Sequence, residues 1–234
     1  GGGGGSSRRS VASETLETDA FLVFRALCKL AKKSGDLANI AVVRGKTLSL
    51  ELLKILLENA GPVFCASPRF IEATKEFLCD AVVTNAAPSI PMAYQLACSI
   101  FLTLLTRFRR SLKAEVGFFF PMLMLKPLEV VHGAPLAPYA QRAILLMCLR
   151  KLCGDAQLLV DMFVNFDCDL DSGNLFERLV NSLVRVAQGL PGVADLTGAE
   201  AAREHVLKSE ALECLSGMLD ALGGWVDDML GTGE

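Results

Sequence analysis

Thr47-Leu48-Ser49-Leu50-Glu51-Leu52-Leu53-Lys54-Ile55-Leu56-Leu57-Glu58-Asn59 is the stretch on which the fold turns. Wound as an α-helix, it carries Leu48, Leu52, Ile55 and Leu56 on one face and Leu50, Leu53 and Leu57 on another. A surface helix needs one apolar stripe. A helix apolar nearly all round is expected between layers of other helices, and Gly61-Pro62 marks its end.

Upstream, Ala20, Val23, Phe24, Leu27, Leu30 and Ala31 recur at helical spacing. Lys29, Lys32 and Lys33 suit the negative end of that helix dipole, and Gly35 stops it. Downstream, Ser67-Pro68 opens a third helix, with Ser67 expected as its side-chain cap and Phe70, Thr74, Phe77, Leu78, Ala81 and Val82 as its buried face. A fourth runs from Ser89 with Ala97, Ile100, Phe101, Leu104 and Phe108 inward. A fifth runs through about Lys126 and is expected to kink at Pro121, which lacks the amide for one ladder bond. Helices over about Ala140–Leu152, Ala156–Val164 and Ser172–Gln188 follow. Residues 190–204 read as a mobile loop, and a last helix over about Val206–Met229 buries Ala211, Leu215, Met218, Leu222 and Trp225.

No segment sustains period-two alternation, so the fold class is all-α. About eight or nine helices joined by short turns, several apolar on two faces, suit an irregular armadillo/HEAT-like superhelix better than a four-helix bundle. The sequence has no strict period, so this architecture follows from helix layout. The expected organisation is a flexible Gly/Ser-rich linker over residues 1–18, one helical domain over 19–229 and a disordered tail over 230–234.

The chain has 234 residues, 52% of them apolar and 21% charged, with a mean hydropathy of +0.41, which excludes an intrinsically disordered polymer. Twenty-three Lys and Arg against twenty-six Asp and Glu leave a net charge of −3 and exclude nucleic acid as a bulk electrostatic partner. Ala81–Thr106 carries no charge, but Asn85, Pro88, Ser89 and Pro91 interrupt it. What remains, Met92–Thr106, is shorter than the roughly 20 apolar residues of a membrane span. The start, Gly1 to Gly5, Ser6, Ser7, Arg8, Arg9, lacks the apolar core of a secretion signal. Eight cysteines (28, 65, 79, 98, 148, 153, 168, 214) contain no C-x-x-C pair, and His132 and His205 are far apart. Neither a zinc site nor a disulfide framework is indicated, and a reducing, cytosolic compartment is expected. Nucleophile elbows, Walker loops and H-E-x-x-H are absent from the sequence; no catalytic residue, metal or cofactor is implied.

Two polar constellations stand out. Asn165-Phe166-Asp167-Cys168-Asp169-Leu170-Asp171-Ser172-Gly173 alternates aspartates as a calcium loop does. Counting from Asp167, however, Ser172 falls where the turn needs Gly and Arg178 where a bidentate Glu is needed. The structural alternative is a helix connection with Asp171 or Ser172 capping the next helix. Arg107, Arg109, Arg110 and Lys113 form a basic cluster, readable as a site for phosphoinositides or an acidic partner, or as a solvated helix end favoured by the dipole.

Asn165-Phe166-Asp167-Cys168-Asp169 resembles the signature box, Asn-Tyr/Phe-Asp-Cys-Asp/Asn, of the domain called homology upstream of Sec-seven (HUS), found in large Arf guanine-nucleotide exchange factors of the BIG and GBF type. Further stretches resemble the BIG-type branch in collinear order: Asp19–Leu30, Leu48–Leu53 with Asn59–Phe64, Ser99–Leu105, Asn174–Asn181, and Leu212–Leu215 followed by Trp225. The resemblance implies a non-catalytic regulatory domain. Its expected partners are the dimerisation and cyclophilin-binding (DCB) domain and the Sec-seven catalytic domain of the same protein, with small GTPases of Arf, Arl or Rab type as further ones. It also implies a cytoplasmic protein recruited peripherally to Golgi membranes. Exchange in that family needs a glutamic finger. Leu190-Pro191-Gly192 is similar to its flank, but Val193 follows where the glutamate belongs, so catalysis is expected in a separate domain. The functional residues carried over are Asn165, Phe166, Asp167, Cys168 and Asp169, expected to brace a loop whose surface a partner reads. Two alternatives are a stand-alone armadillo-type adaptor binding peptides, for which an asparagine ladder is missing, and a helical pocket for an apolar small molecule.

Overall fold

Helix follows helix along the chain, in a computed structural model that describes residues 4–33, 35, 38–87, 89–129, 136–189 and 198–231. Among those residues all regular structure is helical, as the missing period-two pattern requires. The α-helices are α1 (Gly4–Lys32), α2 (Ile40–Asn59), α3 (Pro62–Ala66), α4 (Pro68–Ala73), α5 (Cys79–Thr84), α6 (Pro91–Arg107), α7 (Lys113–Phe120), α8 (Tyr139–Cys153), α9 (Ala156–Met162), α10 (Leu175–Gln188) and α11 (Ala199–Leu230). The excess over eight or nine comes from the short α3 and from α4 and α5, which are one rod joined through a π turn at Thr74–Leu78.

The packing is layered: α1 lies on α2, α2 on α6, α6 on α8, α8 on α11, and α11 on α10. So α2 does lie between two helices, but not in the manner its composition suggests. Leu50, Leu53 and Leu57 are fully buried and meet the neighbours, whereas Leu48, Leu52 and Ile55 are exposed. A single stripe, Leu50, Leu53 and Leu57, is the fully buried face of a helix that packs on both α1 and α6. On α1, too, the buried stripe is Phe24, Cys28 and Ala31, and Val23 and Leu30 face outward. The inward face predicted for α6 is buried throughout, from Ala97 to Phe108.

Residues 4–18, expected as a linker, continue α1 in the structure. Its outer turns are held from outside. Ser67 donates from its hydroxyl to Glu17 Oε1 at 3.4 Å, and Arg69 reaches the Thr18 hydroxyl at 3.2 Å while covering the Phe21 ring at 4.2 Å. Ser67 therefore spends its hydroxyl on α1 and makes no side-chain cap for α4. A knot of aromatic rings lies beneath: Phe24 sits edge-on to Phe64 and Phe70, and Phe64 reaches Phe108. Buried Asn85 donates to Ala31 O at 2.9 Å, satisfying a carbonyl at the free end of α1.

Pro121 acts as expected, in a form not foreseen. A π turn, Pro121–Leu125, follows α7, since a residue without an amide cannot continue the ladder. Residues 199–204, read as loop, are the first turns of α11; residues 190–197, with the Leu190–Val193 segment, lie outside the described residues, as does His132. His205 is exposed on α11. Leu215, Leu222 and Trp225 are only half-buried, so the core contact of α11 is Leu207, Ala211, Cys214 and Met218. The helix runs to Leu230, one residue into the expected tail, and Gly231 closes it in the left-handed conformation (φ 68°) that glycine tolerates. No helix of the described residues is long and apolar enough to cross a membrane.

Candidate functional site

The box begins inside a helix that changes its winding. After α9 the chain makes a π turn, Phe163–Asp167, closed by the Cys168 amide donating to Phe163 O at 3.0 Å. A π turn inserts a residue and rotates all that follows, and such turns gather at functional sites. Here the rotation buries Phe166 while leaving Phe163, Val164 and Asn165 exposed. Phe166 can approach α7 because residue 117 is glycine: a Cβ there would stand 3.3 Å from Phe166 Cε1. Lys113 lies 6.0 Å from the centre of the same ring.

Asp167 performs the capping expected of Asp171 or Ser172. Its carboxylate accepts from the amides of Phe176 and Glu177, both at 2.9 Å, in the first turn of α10. Asn174 holds the cap position of that helix but makes no side-chain cap bond; its amide donates to Glu177 Oε2 at 2.7 Å. A carboxylate on two free amides at a helix N-terminus is doubly favoured, by hydrogen bonding and by the dipole. Asp169 then folds the loop onto itself. It accepts from the Asp171 amide at 3.1 Å, the Ser172 hydroxyl at 3.0 Å and the Lys113 ammonium at 2.9 Å. Lys113 first, then the amide and the hydroxyl, hold its carboxyl below the ordinary value of 3.8. Two of the carboxylates that suggested a calcium loop, those of Asp167 and Asp169, are thus engaged by the protein's own donors. Asn165 donates to Asp161 O at 2.7 Å, and Cys168 is exposed at the turn.

The basic cluster meets the same place. Arg109 pairs with Asp161 at 2.6 Å and Lys113 with Asp169, while exposed Arg110 has no ion pair among the described residues. Arg107 turns away; its guanidinium donates to the carbonyls of Glu58 and Ala60 and closes the end of α2. Between α6, α7 and α9 lies a cleft of about 590 Å³ walled by Arg109, Arg110, Lys113, Asp161, Asn165 and Phe166. Parts of two features separate in sequence therefore meet at this cleft: Asn165 and Phe166 of the box, and Arg109, Arg110 and Lys113 of the basic cluster. Glu129 and Arg178 escaped the sequence reading: they form a two-pronged pair (2.9 to 3.2 Å) tying α10 to the segment after the Pro121 turn. Forty-nine residues apart, they carry no local signal.

The sequence pattern of the Mon2/Sec7/BIG1-like HUS domain matches residues 16–175. The chain belongs to that family. This HUS domain is 48% identical over 215 residues to Brefeldin A-inhibited guanine nucleotide-exchange protein 3 of Arabidopsis thaliana, covering 92% of the chain and 12% of the relative. It is 40% identical over 236 residues to protein 1 of the same plant (99% and 14%), and 40% identical over 232 residues to protein 1 of Homo sapiens (97% and 12%). The HUS domain thus spans only 12 to 14% of the length of these relatives. It is distinct from the catalytic Sec7 domain of such exchange proteins.

Proposed function

We propose that this HUS domain is a non-catalytic regulatory and interaction domain of a large Arf guanine-nucleotide exchange factor. In this reading it packs with the DCB domain, modulates exchange by the Sec-seven catalytic domain, and supports recruitment of a cytoplasmic protein to Golgi membranes in vesicle trafficking. The observation that carries the reading is the contrast between a braced loop and its bare tip. Asp167 and Asp169 fasten the turn at five points, yet Leu170 within it is fully exposed, and Phe163 and Val164 of the preceding π turn are exposed as well. Holding apolar side chains rigidly in water costs stability and suits a surface that another domain covers.

Binding of a purified DCB fragment tests this directly. Leu170→Asp touches nothing in the isolated domain, so its melting temperature should match the parent while DCB affinity falls by about tenfold or more. An unchanged Kd would refute a role for the tip. Co-expression with the DCB and Sec-seven domains, followed by exchange assays with and without residues 19–229, tests the regulatory part; equal rates would overturn it.

A further inference from the structure

The second part of α11 has little protein to lean on. The buried residues of this helix, Glu204, Leu207, Ala211, Cys214 and Met218, end at Met218, and none from Leu219 to Leu230 is buried. A free helix of about a dozen residues is marginal in water. Gly223 and Gly224 weaken this one further, and packing does not ask for them, since a Cβ at either would stand in open space. Yet large apolar side chains lie bare along it: Leu219 is 74% exposed, Met229 69% and Leu230 72%.

These side chains are in register. Leu212, Leu215, Leu219, Leu222, Val226 and Met229 follow one another at alternating steps of three and four, the a and d pattern of a heptad seam. At about 100° per residue they fall within an arc of about 100°, beside the arc of Leu207, Ala211, Cys214 and Met218 that meets the core. Leu215 and Leu222 are half-buried, whereas Leu212, Leu219, Val226 and Met229 are exposed. A second apolar helix completes such a seam, and charge selects its kind. From Ser209 to Glu234 the sequence has no Lys or Arg, while Glu213, Asp220 and Asp227 recur every seven residues on the flank of α11 away from the core. Between seam and flank stand Ser216 and Gly223, too small to keep long cationic side chains off the acids. Asp227 and Asp228 also fall in the last turns of α11, at the negative end of the helix dipole, where cations are favoured and α11 has none of its own. A second copy of this chain would set like charges against each other, and an anionic lipid surface would be repelled.

We propose that the seam from Leu212 to Met229 is a docking surface for a basic amphipathic helix. The apolar side of that helix fills the seam, and its Lys and Arg side chains meet Asp220, Asp227 and Asp228. None of the box residues takes part.

The probe is a synthetic peptide of about three heptads, with Leu at a and d and Lys at the flanking positions, compared with a peptide carrying Glu in place of Lys. Fluorescence anisotropy gives the Kd of each for the 234-residue chain. The Lys peptide should bind about tenfold or more tightly than the Glu peptide, and its Kd should weaken as salt screens the acids. Leu219→Asp changes an exposed side chain, so it should keep the parent melting curve and lose about tenfold or more in affinity. Asp220→Lys combined with Asp228→Lys suits the dipole, so folding is kept, and should turn the preference toward the Glu peptide. A peptide that merely adheres through its leucines would not follow the charge. Equal Kd values for the two peptides, an unaltered Kd in Leu219→Asp, or an unaltered preference in the double variant would each overturn the proposal. So would a dimer of the chain in sedimentation, or binding to phosphatidylserine vesicles, that Leu219→Asp abolishes, because the seam would then belong to a second copy or to a membrane.

Discussion

Asp167→Ala removes one carboxylate and leaves two amides at the start of α10, those of Phe176 and Glu177, without their acceptor. Leaving a buried donor unmade costs about 1 to 3 kcal/mol, and losing a helix N-cap costs about 0.5 to 2 kcal/mol. These are two measures of one loss, not two losses. The Phe176 amide is partly buried and the Glu177 amide exposed, so water rescues the second and the expected cost is about 1 to 2 kcal/mol. For a domain of this size each kcal/mol lowers Tm by about 2 to 4 °C, so thermal unfolding by circular dichroism should shift by about 2 to 8 °C. Asp167→Asn keeps one acceptor oxygen and should recover part of the shift. Hydrogen exchange adds a local reading: the amides of Phe176 and Glu177 should lose protection before the rest of α10. An unshifted Tm together with unchanged exchange at those two amides would refute the capping role, and with it the view that the box acts by bracing its loop.

Two other perturbations probe the same site. The Asp169 carboxyl is held below 3.8 by Lys113 and its other donors, so its contribution is complete above that value and is lost as pH falls through its lower folded value. The Tm difference between the parent and Asp169→Asn should therefore be present at neutral pH and vanish in acid below the ordinary carboxylate range; a gap that stays constant would exclude the ionised interaction. Gly117→Val places two methyl groups where a Cβ alone is already 3.3 Å from Phe166, and should cost about 1 to 3 kcal/mol of stability by denaturant titration. An unaltered midpoint would mean that Phe166 is free to move aside.

How far the sequence was legible depends on whether the deciding interaction is local. The buried face of α6 was readable because Ala97, Ile100, Phe101, Leu104 and Phe108 repeat at helical spacing and nothing polar contests them. The start of α10 was misread because capping rules look two or three residues ahead, whereas Asp167 caps amides nine and ten residues away across a turn. The basic cluster was found as a cluster, but its division could not be seen: Arg107 to the end of α2, Arg109 to Asp161, Lys113 to Asp169. Each partner lies on another helix.

By itself the sequence determined the helical class, most helix ends and the box, because 3.6-residue periodicity, proline and glycine punctuation and a contiguous motif are properties of neighbouring residues. Only the tertiary structure decided which apolar stripe of α2 is covered, that Asn165 and Phe166 of the box share a cleft with Arg109, Arg110 and Lys113 of the basic cluster, and that Arg178 meets Glu129. The physical reason is common to all three. Helical spacing says which residues share a face, but which of two apolar faces is buried, and which charge stands opposite another, depends on the angle and distance at which distant helices pack.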